Sequence, residues 1–160
     1  MTKLTVHFNL NQQNVSLETF AERTLLDVLR EDFALTGAKD SCGGDGECGA
    51  CTVLLDGEAV NACLVLISQV ERRHVLTIEG LSHDGTLHPI QNAFVQAGAI
   101  QCGYCTPGMV MAAKALLDHI PQPDENQIRE ALSGNLCRCT GYTKIVQAVQ
   151  YAASELNHGH

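Results

Sequence analysis

Residues 3–10, Lys-Leu-Thr-Val-His-Phe-Asn-Leu, alternate polar and apolar side chains. A period of two is the pattern of a strand with one buried face. The polar run Asn11-Gln12-Gln13-Asn14 reads as a turn, and Val15-Ser16-Leu17 begins a second short strand. The period then changes. Leu25, Leu26, Val28 and Leu29 mark the buried face of a helix that runs to Asp32, with Thr24 as its N-cap. Thr52–Leu55 and Glu58–Val60 flank Asp56-Gly57, which predicts a hairpin with a tight turn. Val75 to Ile78 reads as a last strand. Strands wrapped around one helix predict an α+β roll.

Beyond Gly80 the pattern becomes helical. Helices are expected over Ile90–Ala99, Pro107–Leu117, Glu125–Leu132 and Thr143–Leu156. Thr106 stands before Pro107, a capping hydroxyl ahead of a proline at the first helical position. Asp124 with Gln127 fits a capping box, and Gly134 after Ser133 fits a C′ residue. Four helices with short connections predict an antiparallel bundle. Residues 79–88 read as the linker, which divides the chain into domains of 1–79 and 80–160. No internal repeat or low-complexity tract stands out.

Composition narrows the class. Apolar residues make up 45% and charged residues 18%, enough for packed cores and too little charge for long disorder. A net charge of −8 disfavours nucleic acid, since no basic patch offers itself to phosphates. The longest basic run, Arg72-Arg73 followed by His74, reads as a solvated turn. The start of the chain alternates as a strand and lacks the apolar core of an export signal. No stretch approaches the apolar length of a membrane span. A cytoplasmic protein is expected. In that setting the eight cysteines point to metal or cluster ligation, because the cytosol keeps thiols reduced.

The cysteines fall into two groups of four, one per expected domain. The first is Cys42, Cys48, Cys51 and Cys63. Four glycines lie between Cys42 and Cys51, and glycine permits the unusual backbone angles and close approach of a loop that wraps a cluster. The spacing is near that of plant-type ferredoxins, with five residues rather than four between Cys42 and Cys48. Zinc is the competing ligand, but its structural sites favour two short Cys or Cys/His pairs. The fourth thiolate, Cys63, is expected on the following strand and is also compatible with an ordinary core cysteine.

The second group is Cys102, Cys105, Cys137 and Cys139. Gln101-Cys-Gly-Tyr-Cys-Thr-Pro-Gly108 places two thiolates before a helix N-terminus, where the dipole favours an anionic cluster. Gly134-Asn-Leu-Cys-Arg-Cys-Thr-Gly-Tyr142 places the other two before the next helix. The bundle is expected to bury this second site. Arg138 is either a solvated cation or a countercharge for the site or an acidic partner. The seven histidines show no metal-binding spacing, and His158 and His160 are expected in a fraying terminus. No phosphate loop, nucleotide fingerprint or nucleophile elbow is present.

Three segments carry a resemblance. Cys48-Gly-Ala-Cys-Thr-Val53, Gln101-Cys-Gly-Tyr-Cys-Thr-Pro-Gly-Met109 and Gly134-Asn-Leu-Cys-Arg-Cys-Thr-Gly-Tyr142 are similar to signatures of the xanthine dehydrogenase, or molybdenum hydroxylase, family. The likeness covers roughly residues 3–153 and is to the separate small subunit of bacterial members. It implies a plant-ferredoxin-like (β-grasp) domain followed by an all-α four-helix-bundle domain. It implies two [2Fe-2S] clusters, one per cysteine quartet. It also implies a large subunit that carries molybdopterin and oxidises a purine, aldehyde or N-heteroaromatic, and a medium subunit that carries FAD. The whole would be a hetero-oligomer such as a dimer of heterotrimers. Carried over, the Cys102 quartet would take electrons from the molybdenum side and the Cys42 quartet would pass them toward the flavin. Gln101 and the Cys139 region would touch the pterin, with Gly49 and Gly103 in the cluster-binding loops. The extra residue after Cys42 is the one departure. A free-standing two-cluster ferredoxin and a zinc-stabilised interaction module remain as alternatives.

Overall fold

The computed structural model of the chain describes residues 2–158. Five strands form one mixed sheet: β1 (Lys3–Leu10), β2 (Gln13–Phe20), β3 (Thr52–Leu55), β4 (Glu58–Asn61) and β5 (His74–Leu76). Their order is β2-β1-β5-β3-β4. The first and last strands run parallel, with Asn9 opposite His74, and the remaining pairs are antiparallel. One helix, α1 (Leu25–Glu31), lies on the sheet. Four more follow: α2 (Pro89–Gln96), α3 (Thr106–His119), α4 (Glu125–Ala131) and α5 (Thr143–His158). This is an α+β fold with a β-grasp sheet and an all-α bundle, in the expected order. Among the described residues no helix is long and apolar enough to cross a membrane.

Alternation along the strands sorts the side chains into two cores. Val6, Phe8 and Leu10 of β1, Val53 and Leu55 of β3, and Val75 meet Leu25, Val28 and Leu29 of α1. Leu54, between two of those residues, points the other way and joins Ile90, Phe94, Met109, Ile128, Ile145 and Val149 of the bundle. Strand β3 is therefore buried at all four positions. A strand with helices on both faces has no solvent side to make polar. The sheet and the bundle thus share it.

The caps explain where several helices begin. Thr24 accepts from Asp27 N at 3.1 Å, and Asp27 returns the bond to Thr24 N, a reciprocal capping box. Asp124 and Gln127 form the second box, as expected. His88 caps α2 through Nδ1, a role its sequence context did not suggest.

Several expectations are corrected. The first turn is only Asn11–Gln12, both at positive φ, as two-residue hairpin turns require. Gln13 and Asn14 belong to β2, because ladder bonding satisfies the backbone whatever the exposed side chain is. The last strand ends at Leu76, and Ile78–Gly80 form a 3-10 turn. Helix α2 begins at Pro89 and ends at Gln96, short of Ala99. Thr106 is not a cap. Cys105, already helical at φ −79 and ψ −14, takes that position, because the turn from Gly103 starts the helix one residue early. Gly134 is not a left-handed C′ residue: Leu132 is the C-cap of α4, and consecutive turns carry the chain onward. His158 closes α5, while His160 lies outside the described residues.

At the end of α3, His119 Nδ1 lies 2.8 Å from the Ala115 carbonyl and Nε2 lies 3.3 Å from Glu58 of β4. The Ala115 carbonyl, and then Glu58, hold the imidazole pKa above its ordinary 6.5. A raised folded value means this pair stabilises the fold below pH 6.5 and ceases to do so as pH rises through the folded pKa. Glu58→Gln is expected to lower the melting temperature at pH 5.5 and to leave it unchanged at pH 8.5. An equal loss at both pH values would show that the charge on His119 plays no part.

Candidate metal centres

The first loop wraps from Cys42 to Thr52. Gly43 and Gly44 take φ +74 and +90, with no atom near enough to meet a Cβ at either position. Past this pair the chain returns so that the Cys42 thiol faces Cys48. Cys51 and Cys63 form a second contact, and both are buried. Cys63 does not sit on a strand: it lies in the turn two residues past β4, where the chain reverses to bring its sulfur back to Cys51. Asn61 Nδ2 donates to Gly46 O at 2.7 Å and ties that turn to the loop.

The second loop pair shows the same arrangement. Cys139 Sγ lies 3.6 Å from Cys102 Sγ, and Cys105 contacts Cys137. The expectation of burial is only half met. Cys105 and Cys137 are partly covered, but Cys102 and Cys139 are exposed. Both loops precede helix starts, so they gather at an end of the bundle and not within it. Cys105 is the N-cap of α3, where unbonded N–H groups and the dipole favour negative charge.

Each quartet is thus two pairs of sulfurs, an inner and an outer one. Among the described residues no three His, Cys, Asp or Glu side chains surround one ion position. Two-plus-two is the donor set that a binuclear iron centre uses, two thiolates to each iron. Acidity differs between the pairs. Contact with Cys48 lowers the Cys42 thiol to about 7, whereas burial beside Cys51 pushes Cys63 up to about 12. Burial likewise raises Cys105 to about 12, with Cys137 adding to it. Cys137 moves down despite burial, because the Thr140 hydroxyl and N–H both point at its sulfur. Metal uptake must therefore displace protons from Cys63 and Cys105.

Gly49 sits where the two loops meet. It has φ +67, and a Cβ there would lie 2.4 Å from the Gly134 carbonyl. Its own carbonyl accepts from Thr52 Oγ1 at 2.7 Å, Thr52 N at 3.1 Å and the buried Asn135 amide at 2.9 Å. One residue on, Leu136 N donates to Cys48 O at 2.9 Å. Gly108 of α3 closes the seam: a Cβ there would meet Gly49 O at 2.3 Å. A ligand of one quartet is therefore hydrogen-bonded to the neighbour of a ligand of the other.

Gln101 is exposed beside Cys102, Gly103 takes φ +83 between the two cysteines, and Arg138 is exposed between Cys137 and Cys139. Three contributors carried no assigned role in the sequence reading. They are Asn135 at the seam, Thr140 on the Cys137 sulfur, and Tyr142, whose hydroxyl accepts from Cys137 N and donates to Asn135 O. Tyr142 holds φ +69, a strained value for a bulky residue, fixed here by those two bonds and by packing on the bundle. All three lie in the Gly134–Tyr142 motif, so the signal was present without its meaning.

Two family models match the chain: a 2Fe-2S iron-sulfur cluster binding domain over residues 8–77 and a [2Fe-2S] binding domain over residues 77–150. The nicotinate dehydrogenase small FeS subunit of Eubacterium barkeri is 51% identical over 95% of this chain and 96% of its own. A probable xanthine dehydrogenase subunit of Bacillus subtilis is 50% identical over 84% of this chain and 77% of its own. Quinoline 2-oxidoreductase from Pseudomonas putida 86 contains a chain that superposes with a TM-score of 0.93 at 38% identity, covering 98% of both. The chain belongs to the family of small iron–sulfur subunits of the molybdenum hydroxylases, the xanthine dehydrogenase family. It is an iron–sulfur subunit of an oxidoreductase, with one [2Fe-2S]-binding domain after the other.

The seam makes two predictions for urea unfolding. Glycine to alanine inside a helix ordinarily gains stability, about 1 kcal/mol. Gly108→Ala should instead lose about 1–3 kcal/mol, because backbone stands where the methyl would go. Asn135→Ala should cost about 1–3 kcal/mol by leaving buried acceptors short of a donor. A Gly108→Ala protein as stable as the parent would mean that the loops do not need this close approach.

Proposed function

We propose that Cys42, Cys48, Cys51 and Cys63 hold one [2Fe-2S] cluster and Cys102, Cys105, Cys137 and Cys139 a second. Through them the chain relays electrons from a molybdopterin site on a large subunit to FAD on a medium subunit. The observation that carries this reading is the pairing of eight sulfurs as two-plus-two in each quartet, on two loops joined by one hydrogen-bonded seam. Such centres supply one-electron acceptance and donation. The rest is the work of the chain. Four thiolates would hold each pair of irons and leave each centre anionic, and Thr140 N–H donates to the Cys137 sulfur. The start of α3 favours anionic charge beside Cys105.

The domains divide near residue 79. The exposed Cys102–Cys139 edge, with Gln101 beside it, faces the pterin-bearing subunit, and Gly49 and Gly103 shape the two loops. The Cys42–Cys48 edge faces the flavin-bearing subunit. The assembly works in the cytoplasm, as a hetero-oligomer such as a dimer of heterotrimers. Substrate oxidation, of an N-heteroaromatic, a purine or an aldehyde, takes place on the large subunit.

Electron paramagnetic resonance of the dithionite-reduced chain tests this. Two distinct S = 1/2 signals are expected, with about four irons per chain. Cys42→Ser should abolish or alter one signal, and Cys137→Ser the other. Stoichiometric zinc in place of iron, or serine variants that leave both signals intact, would refute the assignment.

A further inference from the structure

Tyr104 stands between Cys102 and Cys105, yet its side chain reaches toward the loop of the other quartet. Its hydroxyl donates to the backbone carbonyl of Asp40, across the boundary between bundle and sheet. Its ring carries the Lys39 ammonium 6.0 Å from the centroid. Lys39 in turn donates to the Thr36 and Gly37 carbonyls, and its N–H bonds Ala50 O at 3.0 Å. The Asp40 carboxylate accepts from Gly43 N at 2.8 Å and closes a turn around Cys42. A continuous set of contacts therefore runs from the second loop through Tyr104 and Asp40 to Cys42.

The first loop needs such a hold at this end. Its inner end, from Cys48 to Thr52, is fastened to the bundle by Asn135 and Leu136. Its outer end is the glycine-rich stretch 43–46. Nothing lies within 4 Å of a Cβ built at Gly43 or Gly44; the Leu64 side chain and the Asn61 amide hold the stretch at its far end, Gly46. Among the described residues, the Tyr104 hydroxyl makes the one hydrogen bond from the bundle to residues 40–47. The tyrosine is 45% exposed, so its hydroxyl could equally be met by water. Phenylalanine would fill the same space and lack only that bond.

We propose that Tyr104 is a positioning residue. From the second loop it pins the outer end of the first, and so fixes how the Cys42–Cys48 pair sits relative to the other quartet. The inference rests on the reading that these sulfurs hold iron. It assigns to one side chain of the Cys102–Cys105 gap a role at the opposite centre.

The test uses the full chain loaded with iron and sulfide, its two resonance signals assigned by Cys42→Ser and Cys137→Ser. Tyr104→Phe should keep about four irons per chain. The signal that Cys42→Ser perturbs should change line shape, and the Cys137 signal should not. Iron release to bathophenanthroline from the first centre should quicken about fivefold, the effect of one hydrogen bond lost from the closed loop. Tyr151→Phe, at a half-exposed tyrosine on α5, should behave as the parent. If Tyr104→Phe leaves the first signal and its release rate unchanged, or alters both centres alike, the positioning role is wrong while the cluster assignment stands. A parent chain that takes up no iron overturns both.

Discussion

A carbonyl buried between two folding units must find its donors there or lose the free energy of its hydration. The Gly49 carbonyl finds three, two from its own strand start and one from Asn135, eighty-six residues away. Everything at the centre of the molecule follows from that acceptor. Gly49 must be glycine to turn at φ +67 against the Gly134 carbonyl, and Gly108 must be glycine to let the carbonyl approach α3. Asn135 must be an amide, because one nitrogen reaches both Gly49 O and Thr52 Oγ1. Once these meet, Leu136 is placed to bond Cys48. Two cysteine loops that could have been remote share a peptide-to-peptide bond.

The seam also explains why the quartets have an inside and an outside. Cys51 and Cys63 lie under the sheet, and Cys105 and Cys137 lie against the bundle. Burial raises the inner thiols Cys63 and Cys105. The outer pairs remain at the surface or partly so. The combination is shielding from water at the centre and access at each rim. The fold achieves it by placing glycine-rich turns at the rims and strands or helix starts behind them.

Much of this was legible in the sequence, and the reasons are local. Period-two alternation marked β1, and Asp124 with Gln127 announced the start of α4. The two cysteine quartets separated by spacing alone. What was not legible is long-range or positional. Gln13 and Asn14 looked like turn residues because polarity says nothing about ladder bonding. Thr106 looked like a cap because the earlier start at Gly103 is a matter of one backbone bond. Cys63 looked like a strand residue, but β4 ends at Asn61 and the chain turns before it reaches the cysteine. Asn135 gave no hint of its role, since its partners are in another unit of the fold. Tyr142 at positive φ ran against its own propensity, and only its paired bonds to Asn135 and Cys137 account for it.

The parallel pairing of the first strand with the last has a consequence for biosynthesis. His74 must leave the ribosome before it can lie beside Asn9, so the sheet stays open while the segment bearing Cys42 to Cys63 emerges. Parallel closure over that distance is slow, because the chain entropy is lost before the contacts form. Until then the cysteines from Cys42 to Cys63 have no closed sheet behind them. The topology leaves the first cysteine loop open to solvent until the sheet closes and the helices that follow have packed against it.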